Sequence, residues 1–408
     1  MEDLLFICHR LPYPPNKGDK IRSYNILKYL SARYRVHLAT FVDDPSDEQY
    51  VDRVKALCES TCIQRINPRL RRLFAVVGLI TNKPLSNRFY KSKKIQAWIE
   101  HKIKQDGVTK AFHVSSPMAQ YTIGDDYVDI QRVMDFVDVD SEKWFQYAKR
   151  HAFPMNYLYL REGITLRQYE ERVARIFDKS IFVSAEEANF FGTRLNYEQA
   201  ELEVAVRDKI LNVTNGVDTH FFDPIIFFSP VYPNKRKVIV FTGTMDYWAN
   251  TDAVLWFAKY CFPSIRVQHP DAHFYIVGRN PTPEVNALGL QKGIEVTGTV
   301  EDIRPYLLQA NVIVAPLRVA RGIQNKVLEA FAMNKPVIAT PPALAGLVVD
   351  HCVADASATG TDQMIQKVVG ILAQSLKDEK ACQLKNRVFV TRHYSWTKRL
   401  EALDNVFN

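Results

Sequence analysis

The sequence predicts an α/β protein built of two doubly wound domains, and three observations carry that expectation. At 408 residues the chain exceeds the ~250–300 residues at which a single core stops growing. Short apolar runs alternate with helical patterns along both halves, as expected of parallel strands covered by helices on both faces. Between the halves, from Asp223 to Lys237, the alternation lapses into Pro224, Pro230, Pro233 and Asn234 followed by Lys-Arg-Lys, which reads as a linker. Domains are therefore expected at 1–222 and 238–390, joined by 223–237, with a last helix at 391–408.

The elements follow in order. Leu4 to Cys8 reads as a buried strand, leading into a loop with Pro12, Pro14 and Pro15. Ser23 to Tyr34 reads as a helix whose apolar face is Tyr24, Ile26, Leu27, Tyr29 and Leu30. Further strands are expected at Val36–Phe41, Lys110–Val114, Gln131–Phe136 and Lys179–Val183. In the second half, strands are expected at Val238–Phe241, Ala272–Val277, Ile294–Val296, Val312–Ala315 and Val337–Ala339. Helices fall at Thr251–Tyr260, 302–310 and 326–333.

Hydrophobic content of 47% and charged content of 24% fit a globular protein and exclude disordered, collagen-like and multi-span membrane classes. The net charge of +8 suits an anionic partner without choosing among nucleotide phosphates, acidic lipid and nucleic acid. The six cysteines are scattered, and Cys58 and Cys62 have no second pair at zinc-ligand spacing; buried free thiols in a reducing compartment are expected. The run Leu4–Cys8 is too short for a signal-peptide core, so a cytoplasmic protein is expected. Arg69 to Ile80 is basic and then apolar, a pattern that suits the inner face of an anionic membrane as well as a core helix.

Ligands of doubly wound sheets bind at the carboxyl ends of the strands. The segment Ala315 to Ala330 leaves such an end and opens a helix. Gly322 would admit close backbone approach, Asn325 would cap the helix, and the free N–H groups there would hold an anion. Arg318, Arg321 and Lys326 add cations, and Arg can fork onto phosphate oxygens. Glu329, one turn in, could accept two ribose hydroxyls. The plainer reading is a solvated basic loop with Glu329 placed favourably on the helix.

Arg321 to Ala332 followed by Lys335-Pro336-Val337-Ile338-Ala339-Thr340 resembles the donor signature of the GT-B glycosyltransferases of group 1 (family 4-like). Asn215-Gly216-Val217-Asp218, Phe241-Thr242-Gly243-Thr244-Met245, Ile276-Val277-Gly278, Val296-Thr297-Gly298-Thr299-Val300 and His393-Tyr394-Ser395-Trp396 resemble further stretches of that family, in the family's order. A closer resemblance is to sugar transferases of PEP-CTERM/exosortase exopolysaccharide systems, carried by Pro12 to Asp19, Asp138 to Trp144 and Ala320 to Glu329. The resemblance implies two Rossmann-like domains with a cleft between them and a C-terminal helix that returns to the N-terminal domain. It also implies a nucleotide diphosphate sugar as donor substrate, no resident cofactor, and catalysis without a metal. Two positions depart from the family. Arg321 stands where the first glutamate of the donor pair belongs. Thr244, with Ala249 or Asn250, stands where the Gly243 loop carries Arg and Lys. Phosphate-neutralising charge is then expected to have moved to Arg318, Arg321 and Lys326.

On this reading the donor's diphosphate meets the Gly322–Lys326 helix start together with Gly243, Thr244, Arg318 and Asn325. Its ribose meets Glu329, and its base meets Thr299, Val300 and Arg279. The acceptor side is assigned to the loop after the first strand, with His9, Arg10, Lys17, Gly18 and Asp19. Arg321, Lys326 and Asp138 are the expected catalytic residues. His113 reads as a core histidine. The expected activity is transfer of a sugar to a saccharide or polyprenyl-linked acceptor, with retention, in exopolysaccharide assembly. Whether a covalent intermediate forms or the acceptor attacks on the leaving-group face stays open. A GT-B nucleotide-sugar epimerase and a non-catalytic nucleotide-sugar binder stand beside it. No G-x-G-x-x-G follows a strand, and the P-loop, H-E-x-x-H and G-x-S-x-G motifs are missing. Basic residues are not interleaved with aromatics, so nucleic acid is not an expected partner.

Overall fold

The computed structural model describes residues 1–71, 83–195, 204, 206–233, 236–320, 322–348, 350–374 and 376–407, without the side chains of 376–384. The chain divides into two compact units, one of residues 1–214 with 400–408, the other of 215–399.

The N-terminal unit is a parallel sheet of β1 (Asp3–Cys8), β2 (Arg35–Val42), β3 (Ser60–Arg65), β4 (Lys110–Val114), β5 (Gln131–Val137), β6 (Lys179–Phe182) and β7 (Ile210–Asn212). Their order is β3-β2-β1-β4-β5-β6-β7, with Phe6 opposite Leu38 on one side and Phe112 on the other. Helices α1 (Gly18–Ser31), α2 (Lys93–Lys104), α3 (Asp140–Arg150) and α4 (Met155–Ile176) belong to this unit. The central strands are buried nearly end to end, which is why they read as apolar runs rather than as alternation. Residues 400–408 close the unit: the Tyr29 hydroxyl donates to Asp404 at 2.6 Å, and the Tyr34 and Phe407 rings meet at 5.9 Å.

The C-terminal unit is a second parallel sheet of β8 (Lys237–Thr242), β9 (Ala272–Val277), β10 (Ile294–Gly298), β11 (Val312–Ala315) and β12 (Val337–Ala339), in the order β10-β9-β8-β11-β12. Helices α5 (Trp248–Tyr260) and α6 (Asn325–Ala332) flank the site described below. Tyr232, from the proline-rich stretch, belongs to this unit. Its ring lies 4.5 Å from that of Tyr275, and its hydroxyl donates to the Tyr306 carbonyl at 2.8 Å.

Two parallel α/β sheets are the expected fold class, and the expected strand positions hold. Two strands escaped the sequence. β3 sits at a sheet edge and is half-exposed and polar. β7 is the opposite edge and only three residues long. Helix α1 also begins at Gly18, five residues before the expected Ser23. Its first turns hide behind charge. Lys20 pairs with Asp47, and Arg22 forks onto Asp135 at 2.7 and 2.9 Å, all four fully buried. A buried face made of paired charges leaves no apolar period to read.

Candidate functional site

In each sheet the strand order reverses once, and ligands of open α/β sheets bind outside the strand ends at that point. The reversal lies between β1 and β4 in the N-terminal unit and between β8 and β11 in the C-terminal unit. His9 and Arg10 directly follow β1. Gly243 directly follows β8, and the 316–326 loop follows β11. His9, Arg10, Gly243 and the loop after β11 thus lie at the two points where the topology leaves a gap, whereas Asp138, Arg279, Thr299 and Val300 follow other strands.

In the C-terminal unit three strand ends are tied together. The Gly243 N–H donates to the Val277 carbonyl at 3.1 Å, Met245 N–H to the Arg279 carbonyl at 2.8 Å, and Gly278 N–H to the Gly298 carbonyl at 3.2 Å. A side chain at Gly278 would place its Cβ 1.7 Å from the Gly243 carbonyl oxygen, so only glycine allows this approach. Lys326, on the first turn of α6, reaches under the Gly243 loop. Its Nζ donates to Asn250 Oδ1 at 2.6 Å and lies 4.1 Å from the centre of the Phe241 ring. Asn250 in turn donates to the Thr244 carbonyl at 2.9 Å. The lysine is thereby held at the loop by a neutral amide and a ring face, with Glu329 its nearest charge.

Burial pushes the Lys326 ammonium down to about 7, against the pull of Glu329. Burial likewise pushes the Glu329 carboxyl up to about 7, against Lys326. A cation held that cheaply in its neutral state takes up a proton when an anion arrives. Gly322 lies in the left-handed region at φ +61° with open space around a would-be Cβ. The turn, rather than crowding by protein, calls for glycine there.

Two expectations are corrected. Asn325 does not cap α6: it is the first helical residue, and the preceding Gln324 takes the cap position with no side-chain cap bond. Asn325 Oδ1 is buried without a hydrogen-bond partner. Arg318 does not point an open charge at the loop. It is half-exposed and forks onto Asp252 of α5, with Nε–Oδ2 at 2.8 Å. Arg321 lies outside the described residues. Thr299 is exposed, Val300 packs partly against the core, and Arg279 contributes its carbonyl to the Gly243 loop.

The N-terminal residues form a different kind of cluster. Arg10 donates to Asp43 at 2.7 Å and to Asp19 at 2.9 Å, and His9 Nε2 lies 3.3 Å from the same Asp19 carboxylate. Burial disfavours the charged His9, but the hydrogen bonds to Asp19 and Cys8 prevail and raise it to about 9. Burial opposes the Asp19 charge too, and His9 and Arg10 overcome it, holding that carboxyl well below its ordinary range. Lys17 precedes α1 and Gly18 opens it, in open space. Asp138 follows β5 beyond Val137, which sits at φ +68°. Lys143 is 3.0 Å from Asp138 and 2.9 Å from Asp140. His113 is the core histidine expected, buried between the Val133 carbonyl at 3.1 Å and the Thr122 hydroxyl at 2.8 Å, and burial pushes it down to about 3. No group of three or more metal-ligating side chains occurs among the described residues.

Residues 236–374 match the family model of the glycosyl transferases group 1. The match lies within the C-terminal unit. No curated protein matches. Solved structures similar to the chain include HepE of Anabaena in complex with UDP-glucose, 12% identical with a TM-score of 0.61, covering 99% of this chain and 98% of that one. Sucrose-phosphate synthase from Thermosynechococcus elongatus is 14% identical at a TM-score of 0.63, covering 100% and 98%. A glycosyltransferase from Rickettsia africae is 16% identical at 0.58, covering 100% and 98%. At such identities the likeness is one of fold, the GT-B class. The family match covers β8 to β12, and so includes Gly243, Lys326 and Glu329.

Sequence reasoning passes over Asp252 altogether, reads Phe241 as the end of a strand and the start of a family stretch, and counts Asn250 only as one of two places for a missing lysine. The available signal was that the resemblance puts Ala249 or Asn250 where the family carries a lysine.

Proposed function

We propose that this chain transfers a sugar from a nucleotide diphosphate sugar to a saccharide or lipid-linked acceptor. The observation that carries the reading is the Lys326 ammonium, half-buried at the Gly243 loop where, among the described residues, an amide and a ring face are its direct contacts. That is a seat for an anion rather than a structural ion pair. The donor diphosphate sits between the Gly243 loop and the first turn of α6, where N–H groups and Lys326 neutralise it. Glu329, one turn along, accepts the ribose hydroxyls, and the base rests on Thr299, Val300 and the Arg279 loop. As the glycosidic bond to phosphate breaks, negative charge grows on the leaving diphosphate, and Lys326 stabilises it. Arg321 is assigned to the same task. Asp138 and the His9–Asp19 loop are assigned to the acceptor. No resident metal or cofactor is invoked, retention is the expected outcome, and the resemblance to exosortase-linked transferases points to exopolysaccharide assembly. UDP-glucose and UDP are bound in the similar HepE structures, which puts UDP first among the nucleotides to try.

A thermal-shift screen against UDP, GDP, ADP and CMP tests the donor site. A nucleotide at 100 times its Kd stabilises the folded chain by ~2.7 kcal/mol, and Glu329→Ala should abolish the shift. No shift with any of the four would remove the reading. Arg321 in the glutamate's place favours one alternative, a nucleotide-sugar binder without turnover. Nucleotide binding with no donor consumption on any acceptor would select it, whereas release of an epimerised free sugar would select an epimerase.

A further inference from the structure

A cavity of about 840 Å³ lies in the N-terminal unit between α2, α4 and the short helix Leu85–Phe89. Five cations line it: Lys83, Arg88, Lys91, Lys93 and Arg172. A sixth, Arg71, donates to the Lys91 carbonyl at 2.6 Å and so stands at its rim. The one carboxylate on the described wall, Glu100, is engaged by the Gln96 amide at 3.0 Å. The wall also holds Asn87, 8% exposed, beside Tyr169. Neither Asn87 Oδ1 nor the Tyr169 hydroxyl makes a hydrogen bond of good geometry. Like charges crowded around a roomy cavity are relieved by one anion with several oxygens.

The same helix carries a second feature. Phe153, just before α4, is 82% exposed, Tyr157 70%, Leu160 43% and Ile164 45%. The last three recur at helical spacing, so they form one apolar stripe. One turn beyond Ile164, Gln168 lines the cavity, so the stripe runs directly into the basic wall. Lys149 and Arg150, both exposed, flank its other end. An apolar stripe edged by cations is the pattern of a surface that lies in the headgroup region of an anionic bilayer.

We propose that this α4 face docks on an anionic membrane, with the stripe entering the bilayer and the α2–α4 cavity seating a phosphate-bearing lipid headgroup. Arg71 of the Arg69–Ile80 segment stands at the rim of this surface, residues 72–80 lie outside the described residues, and the docking needs no nucleotide. It can therefore fail while the donor reading stands.

The test is co-sedimentation of the full chain with phosphatidylcholine vesicles, with and without phosphatidylglycerol. A parallel titration uses soluble glycerol phosphate. Binding is expected only to the anionic vesicles and should weaken with salt. Lys93→Glu/Arg172→Glu should weaken it roughly tenfold or more, and Phe153→Ser/Tyr157→Ser should weaken it comparably. All four positions are at the surface, and an unchanged thermal midpoint shows that the variants fold. No binding to anionic vesicles, or binding indifferent to the cavity variant, overturns the proposal. Glycerol phosphate binding that the cavity variant abolishes, without vesicle binding, overturns the lipid as its source.

Discussion

The two strand-to-helix switch points of this chain carry charge in opposite ways. After β1, the cations His9 and Arg10 are matched to Asp19 and Asp43 at hydrogen-bond distance, and His9, Arg10 and Asp19 are each driven further into their charged forms. After β8, Lys326 has no carboxylate in direct contact, and burial has brought it near neutrality at pH 7. A self-satisfied cluster gains little by admitting a ligand and holds a loop in shape. A desolvated cation braced by an amide gains a great deal when an anion arrives. The difference assigns positioning to the first and donor binding to the second.

The largest effect expected on that comparison is from Lys326→Ala. Turnover should fall about 100-fold or more, with a smaller loss of nucleotide affinity, because the lysine acts mainly on charge that develops as the bond breaks. Wild-type kinetics would erase the distinction between the loops. Asp19→Asn is the mirror test. It strips both His9 and Arg10 of their shared partner and should cost about 2 kcal/mol of stability in chemical denaturation, while nucleotide affinity stays unchanged. His9 sharpens this further. Its folded value of about 9 lies above the ordinary 6.5, so its contribution is complete below pH 6.5 and is lost as pH rises through 9. The stability that wild type sheds over that window should be largely gone from Asp19→Asn.

What could be read from the sequence follows from what kind of burial each residue has. β1, β4, β8 and β11 are buried along most of their length by apolar side chains, and hydropathy reports that directly. The start of α1 was invisible because Lys20 and Arg22 are buried by pairing with residues 27 and 113 positions away. The 243 and 316–326 loops were legible because strand, loop and helix start adjoin in sequence. The Asn250–Lys326 bond was not, since 76 residues separate its partners. The Arg318–Asp252 pair was hidden for the same reason, with 66 residues between its partners.

The smallest effect expected is also the one most specific to the C-terminal loop. Lys326 and Glu329 both titrate near pH 7, and the donor requires the first protonated for its phosphates and the second ionised for its ribose. Raising the pH from 7 to 8 should remove the lysine proton and weaken nucleotide binding roughly threefold, and lowering it to 6 should weaken binding by a similar factor through Glu329. Affinity should therefore peak near neutrality, and the net proton exchange on binding should change sign there, with uptake by Lys326 prevailing above pH 7 and release from Glu329 below it, each visible as a dependence of calorimetric enthalpy on buffer. Glu329→Gln keeps the amide's acceptor oxygen and loses the titration, so its profile should lack the acid limb and keep the alkaline one. A flat profile in wild type between pH 6 and 8 would mean that the nucleotide meets neither group, and that the burial of Lys326 serves the fold alone.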